Sequence, residues 1–400
     1  MIDIFLAILI GMLFGTLTGL IPGLHTNTVA LIVASMSALL LSWFSPLAVA
    51  SFLVAMVVVH SFMDFIPSIF LGAPEDATAL GVLPGHLLLL KGRGYRALKL
   101  TIIGGIGTFL ISLVIIPFVF LWLEKSYAII SQLIAPILIA FSTLFILQEN
   151  KLKKIIWATI IFLLAGTLGL LTLNYVSLKQ PLFPLLSGLF GTSTLIISLL
   201  NKQKIPAQKT DDKIAWLTKS RLSDYAKAAL SSLFVSILPA VGAAQAAVIS
   251  RAFTKYKNRE EFLVVIGGIN TAVALFTLTT LFLIGKTRTG VMAVLANIIE
   301  LNLHQYLFLL AVCFVAMAFG VFFSLRIGKW TAENITRINY RKLSLGIITF
   351  LSILAIWFSG LLGLYILITA TAIGMLAPLA NVKRIHLMAC LVIPVVLYYI

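Results

Sequence analysis

Apolar residues run in long blocks along this chain, divided by short polar interruptions. Blocks at 101–123, 155–173 and 262–284 each approach the ~20 residues with which a helix crosses ~30 Å of hydrocarbon. The block at 2–43 is too long for one span, and Gly19-Leu20-Ile21-Pro22-Gly23 interrupts its middle, which suits a hairpin or a broken helix. Segment 228–250 has the same form around Ile237-Leu238-Pro239-Ala240-Val241-Gly242. The segments after the two hairpins match as well. An apolar run at 46–71, a polar interruption at 72–78 and a short helix precede spans at 100–123, 126–148, 153–172 and 181–201. An apolar run at 262–284, an interruption at 285–290 and a short helix ending at Glu300 precede spans at 305–326, 343–358, 361–381 and 386–400.

Charge orients these segments. Lys and Arg cluster at 91–99, 151–154, 202–227, 251–259, 326–342 and 383–384. The connections at 43–46, 172–181, 300–304 and 359–361 hold no Lys or Arg except Lys179, and Glu124-Lys125 is balanced. Basic loops stay on the cytoplasmic side, so both ends of 2–43 fall outside and both ends of 228–250 inside. The pattern predicts an all-α polytopic membrane protein of two inverted-topology repeats with re-entrant or broken helices. The first repeat is 1–201, a polar cytoplasmic linker covers 202–227, and the inverted second repeat is 228–400. Leu20-Ile21-Pro22-Gly23 lines up with Ile237-Leu238-Pro239-Ala240, and Ile69-Phe70-Leu71-Gly72 lines up, with one residue of slippage, with Phe282-Leu283-Ile284-Gly285. Inverted repeats with discontinuous helices mark secondary transporters, with the site where the halves meet. The alternative is that Pro and Gly merely kink ordinary spanning helices.

Composition removes other classes. Hydrophobic residues make up 61% of the 400 and charged residues 10%, against about a quarter charged in soluble domains. The net charge of +16 has its source in the loops and suits anionic headgroups; no basic patch with exposed aromatics points to nucleic acid. Cys313 and Cys390 lie in apolar segments, so neither a disulfide framework nor a metal site is expected, and no cofactor is called for. Met1-Ile2-Asp3-Ile4 lacks a basic n-region and a cleavage site, and reads as the start of the first membrane segment. No GxSxG, HExxH, aspartate-rich diphosphate motif or paired metal ligands occur, so an enzyme is not expected.

Three constellations carry candidate chemistry. In Pro22-Gly23-Leu24-His25-Thr26-Asn27-Thr28, the break exposes backbone N–H groups at a helix start, and Gly23, His25, Thr26, Asn27 and Thr28 are candidate anion ligands; Thr26 or Asn27 alternatively serves as a plain N-cap. In Gly72-Ala73-Pro74-Glu75-Asp76-Ala77-Thr78, Glu75 and Asp76 lie in an apolar stretch, where carboxylates are functional suspects for a coupling H⁺ or Na⁺, or else caps or ion-pair partners. In Gly285-Lys286-Thr287-Arg288-Thr289-Gly290, Lys286 and above all Arg288 are candidates to grip substrate charge, with a buried pair to Glu75 or Asp76 as the competing reading. Pro22, Gly72, Pro74, Pro239, Gly242 and Gly285 are the expected break points. Gln245, after the second hairpin break, and Asn270-Thr271, inside span 262–284, are further substrate-binding candidates. His60, Asp64 and His86 are intramembrane or boundary ionisables, for which hydrogen-bonded packing is the simpler reading.

The stretch 15–30, with its Pro-Gly-Leu-His-Thr-Asn-Thr core, resembles the first signature of the large membrane subunit of tripartite tricarboxylate transporters. Residues 67–98, ending in Lys91-Gly92-Arg93-Gly94-Tyr95-Arg96-Ala97-Leu98, are similar to the second signature, and 261–294 to the corresponding block of the second half in stand-alone members. The chain departs from that family at Ala73-Pro74-Glu75-Asp76 and at Ala240-Val241-Gly242, and it is shorter than typical members. The resemblance implies an ion-driven permease for citrate-like carboxylates working with a small membrane subunit and an extracytoplasmic binding protein. The expected function is a secondary transporter of a small organic anion, coupled to H⁺ or Na⁺, in the cell membrane; a homodimer is left open. The alternative is a flippase for a polyprenyl-phosphate lipid carrier using the same anion site.

Overall fold

The computed structural model describes residues 2–21, 26–72, 78, 82–175, 178, 180–200, 205–211, 214–237, 259–337 and 340–400. Regular structure among them is entirely helical. Among the described residues, seven helices are long and apolar enough to cross a membrane: Ile2–Leu20, Pro46–Leu71, Gly94–Gln132, Leu152–Leu173, Arg259–Ile284, Leu303–Arg337 and Arg341–Leu379. In chain order, α1 (Ile2–Leu20), α2 (Thr26–Ser35) and α3 (Ser37–Trp43) form the first interrupted segment. α4 (Pro46–Met63) continues into a π-helical turn, Pro67–Leu71, and α5 (Val82–Leu89) precedes the basic loop. Then come α6 (Gly94–Gln132), α7 (Ile134–Leu147), α8 (Leu152–Leu173), and α9 (Leu182–Leu186), joined through a π turn to α10 (Ser193–Leu200). The second half holds α11 (Lys219–Ile237), α12 (Arg259–Ile284), α13 (Gly290–Ile298), α14 (Leu303–Asn334), α15 (Tyr340–Leu379) and α16 (Ala389–Tyr399).

The break at Ile21 and the interruption at Gly285 fall where the apolar pattern puts them. So does the division of α15, where Gly360 (φ 64°) separates the spans expected at 343–358 and 361–381. One expected boundary is corrected. α6 runs through Glu124-Lys125 without a break, because both residues are good helix formers. The chain turns instead at Leu133, three residues before Pro136, whose ring removes the N–H that would have bonded Gln132. The polar linker is also partly helical, since α11 starts at Lys219.

Two spans lie at the centre. The window around α4 is 78% buried and that of α12 89%, against 28–39% for the other five. Small residues let their neighbours close in, the usual device where lipid offers no hydrophobic drive between helices. Gly11, Gly15 and Gly19 present one face of α1 to Phe52, Met56 and Met63 of α4. Gly104 of α6 abuts the Val264 backbone of α12, and Gly267 of α12 abuts that of Thr101. The halves interlock: α4 packs on α14 and α12 on α6, while α8 packs on α16 and α15 on the π turn at 187–192. Among the described residues the two main apolar cores are a large one spanning α1 to α6 and α11 to α14, and a smaller one among α8, the 182–190 segment, α15 and α16, with two minor clusters around Leu195 and Leu138. Phe5, Leu13 and Leu17 of α1, Phe118 and Leu121 of α6 and Trp357 of α15 point outward, as side chains facing lipid do.

Candidate functional site

Both central spans end on a left-handed glycine. Pro67 has no N–H, so the ordinary helical bond to Met63 is lost and the chain widens into the π turn. Gly72 (φ 63°, ψ 25°) closes it by donating to the Pro67 carbonyl. Gly285 (φ 64°) ends α12 and donates to Leu281 at 3.0 Å. A β-carbon at Gly285 would meet nothing within 4 Å, so backbone conformation alone asks for glycine there.

Beyond Gly285, Thr289 is extended and caps α13, its hydroxyl accepting from Met292 N–H at 3.2 Å. Val291 N–H donates to Asn27 Oδ1 at 3.3 Å, and Gly290 lies opposite the same side chain. A polar residue just after the first break therefore satisfies a free donor at the start of the helix beyond the second. Arg288 donates from Nη2 to the Tyr127 hydroxyl at 2.9 Å, with its guanidinium carbon 5.5 Å from that ring centroid. Its Nε is buried with no partner among the described residues. Lys286 is exposed.

A second polar cluster lies where α4 crosses the middle of α12. Asn270 donates from Nδ2 to Asp64 Oδ2 at 2.8 Å and to the Ser61 carbonyl at 3.0 Å. Ser61 Oγ is 3.3 Å from Thr271 Oγ1, His60 Nδ1 is 3.0 Å from Thr18 Oγ1, and His60 Nε2 is 4.0 Å from Asp64 Oδ2. Thr18, His60, Ser61, Asp64, Asn270 and Thr271 are all buried. A carboxylate so placed is costly without donors, and Asn270 is one.

Polar ties also fix the end of the bundle where the basic loops gather. Arg96 grips Glu260 with two bonds, Nε–Oε1 at 2.8 Å and Nη2–Oε2 at 3.0 Å. Gln208 accepts from Gly94 N–H at 2.7 Å and donates to Leu89 O at 3.0 Å, so the linker lies on the loop between α5 and α6. Asp224 is pushed up to about 6 by burial and by Glu261 beyond it, while Arg221 and Lys227 stand off at 3.7 and 3.8 Å. Glu149 sits in the connection between α7 and α8, where it accepts from the Lys383 N–H at 3.1 Å and meets His386 Nε2 at 3.1 Å. Burial alone would raise its carboxyl; these partners together hold it below the usual range.

Of the candidates from the sequence, Asn27 is thus brought to the 285–290 interruption, and Thr26 is buried at the start of α2. Arg288 meets an aromatic hydroxyl, while Asn270 and Thr271 meet α4. Pro22, Gly23, His25, Pro74, Glu75, Asp76, Pro239, Gly242 and Gln245, with the side chain of Thr28, lie outside the described residues. His60 and Asp64, for which hydrogen-bonded packing was the simpler reading, are indeed buried and hydrogen-bonded, to Thr18 and Asn270, and their spacing of four puts both on one face of an apolar helix. Sequence reasoning missed Tyr127, which nothing in the local pattern sets apart. Among the described residues, no group of three or more His, Cys, Asp or Glu side chains converges as a metal site would require.

An uncharacterized protein of Methanocaldococcus jannaschii is 30% identical over 411 aligned positions, covering 99% of this chain and 98% of that protein. No solved structure matches the chain. Residues 5–389 match the family model described as the tripartite tricarboxylate transporter TctA family. The chain therefore belongs to that family, as an integral membrane, non-enzymatic component of a tripartite tricarboxylate transport system.

Proposed function

We propose that this protein is a secondary transporter that carries a small di- or tricarboxylate across the membrane, driven by H⁺ or Na⁺. Its anion site would be formed where the two breaks meet. The observation that carries this reading is the bond from Val291 N–H to Asn27 Oδ1. A donor at the start of α13 is the kind of group that receives an anionic oxygen, and here a neutral side-chain oxygen occupies it. Arg288 and Lys286, in the segment leading to that helix, would supply the compensating charge. Withdrawal of Asn27 and rotation of Arg288 away from Tyr127 would open the site to a carboxylate. Gly23, His25, Thr28 and Gln245 would complete it, and Glu75 and Asp76 remain candidates for coupling.

Two features support inverted repeats over residues 1–201 and 228–400. The glycines paired by the sequence, Gly72 and Gly285, share one backbone conformation at φ 63° and 64°. The packing is also reciprocal, with α4 on α14 matched by α12 on α6. Alternating access would come from the halves moving around the site. The family also supports a small membrane subunit and an extracytoplasmic binding protein as partners.

Thermal unfolding of the purified protein with di- and tricarboxylates, phosphate and short polyprenyl phosphates tests the reading. A ligand at a hundredfold excess over its Kd adds about 2.7 kcal/mol to the folded state. Stabilisation by a carboxylate, lost in Arg288→Ala, is the expected result. Stabilisation by polyprenyl phosphate alone would overturn it in favour of a lipid-carrier flippase.

A further inference from the structure

Two arginines of this chain present the same edge to different partners. Arg96 uses the side edge of its guanidinium, Nε and Nη2, to hold both oxygens of Glu260, at 2.8 and 3.0 Å. Arg288 has the Tyr127 hydroxyl on Nη2 at 2.9 Å, while the Nε beside it is buried with no partner among the described residues. Among those residues Arg288 also meets no carboxylate. Half of an edge shaped for a carboxylate is therefore taken by a neutral oxygen. The other half is a buried N–H without a protein acceptor, which is costly to keep.

Tyr127 has a donor to spare beside that edge. Its oxygen accepts from Arg288, which leaves its own O–H to donate, and no acceptor for that proton lies among the described residues. The residue is also rigidly placed. α6 runs through Glu124-Lys125 without a break, so Tyr127 rides on the same helix that packs on α12 through Gly104. One turn on, Ile130 packs with Ile134, Leu138 and Val395, and α16 thereby steadies this end of α6. The guanidinium lies over the partly buried ring, its carbon 5.5 Å from the centroid.

We propose that Tyr127 is a substrate-binding residue, whose hydroxyl donates to a carboxylate seated on the Nε/Nη2 edge of Arg288. One carboxylate oxygen takes the buried Nε–H, and the other replaces the Tyr127 oxygen on Nη2. The Tyr127 O–H then turns to that second oxygen. The turn of Arg288 away from Tyr127 is thus a hydrogen-bond exchange: Arg288 loses no bond, Tyr127 passes from acceptor to donor, and no proton is transferred. A planar edge with a fixed third donor fits one carboxylate group of a di- or tricarboxylate, whereas a monatomic anion such as chloride cannot span the edge. The inference rests on the transport reading above, whose site contains Arg288, and adds a residue that sets how the carboxylate is held.

The test is citrate binding to the purified full chain, read as the shift in thermal midpoint over a citrate titration and as near-ultraviolet difference absorption. The wild type is expected to give a tyrosine difference signal with citrate, as one hydroxyl passes from accepting to donating. Tyr127→Phe keeps the ring under the guanidinium and should leave the ligand-free fold intact. It should weaken citrate about tenfold, the scale of one hydrogen bond to a charged group, and lose the difference signal. Unchanged or tighter citrate binding in Tyr127→Phe overturns the inference, because the hydroxyl then only competes for Arg288. So does a wild-type difference spectrum without a tyrosine signal, a result that does not depend on how the variant folds. If citrate shifts the wild type, and the shift is lost in Arg288→Ala but kept in full by Tyr127→Phe, the transport reading stands and the inference falls. If no di- or tricarboxylate shifts the wild type, both fall.

Discussion

The two apolar cores are built by the same packing device and filled with different chemistry. In the larger one, glycines bring α1 onto α4 and α6 onto α12, and the space between holds Asp64, His60, Asn270 and Thr271. In the smaller one, Gly166 and Gly169 bring α8 onto α16, and Gly188 and Gly374 join the 182–192 segment to α15. Its interior polar groups include hydroxyls such as Thr192, which bonds Gly188 O on its own helical turn and Thr371 on α15, and Thr194, which accepts from Arg384, together with the buried ring of His386. Its carboxylate, Glu149, is buried in the connection between α7 and α8, outside the spans, and tied to Lys383 and His386. Hydroxyls that return to their own helix cost little in lipid, whereas a carboxylate in mid-span needs donors built for it. On the proposed reading, this difference would leave the anion chemistry to the larger body and support to the smaller.

The sharpest way to break this comparison is to pry each body apart. A β-carbon at Gly104 would run into the Val264 backbone, and one at Gly169 into the Cys390 backbone. Gly104→Leu and Gly169→Leu should each lower stability by about 3 kcal/mol or more, read as the thermal midpoint in detergent. Only Gly104→Leu should also remove the carboxylate-induced shift, because it displaces the helix carrying Asn270. Equal loss of ligand response in both variants would erase the distinction.

Next in size is the polar interior. Asn270→Ala removes the donor to Asp64 and is expected to cost about 2 kcal/mol, against about 1 kcal/mol for Thr192→Val. Equal costs on thermal unfolding would mean the carboxylate does not depend on that amide. At the break, Gly285→Ala should cost about 1 kcal/mol, all of it from the left-handed backbone, since no atom lies in the way. A neutral result would show that the left-handed turn is not required.

The smallest effect is a pH dependence outside the membrane. Asp224 is raised from 3.8 to about 6, so the folded state binds its proton more readily than the unfolded one. The stability it contributes is full below 3.8 and is lost as the pH rises through about 6. Asp224→Asn should flatten that decline in the thermal midpoint, while ligand response in the larger body stays unchanged.

The chain's own pattern was enough for the membrane, the succession of spans, the breaks at Ile21, Gly285 and Gly360, and the suspicion that polar residues beside those breaks matter. Each of these is local: runs of apolar residues need lipid, and glycine and proline change the backbone wherever they fall. The sequence also ended α6 in the wrong place, because two charges in one helical turn mark an interface without breaking the helix. Only the tertiary structure decided that Asn27 reaches Val291, that Arg288 finds Tyr127, and that Asn270 bonds Asp64. Those partners are separated by 161 to 264 positions along the chain. Their meeting depends on which face each helix turns to its neighbour, and that rotation is set by the packing of small residues across helices, not by hydropathy along them.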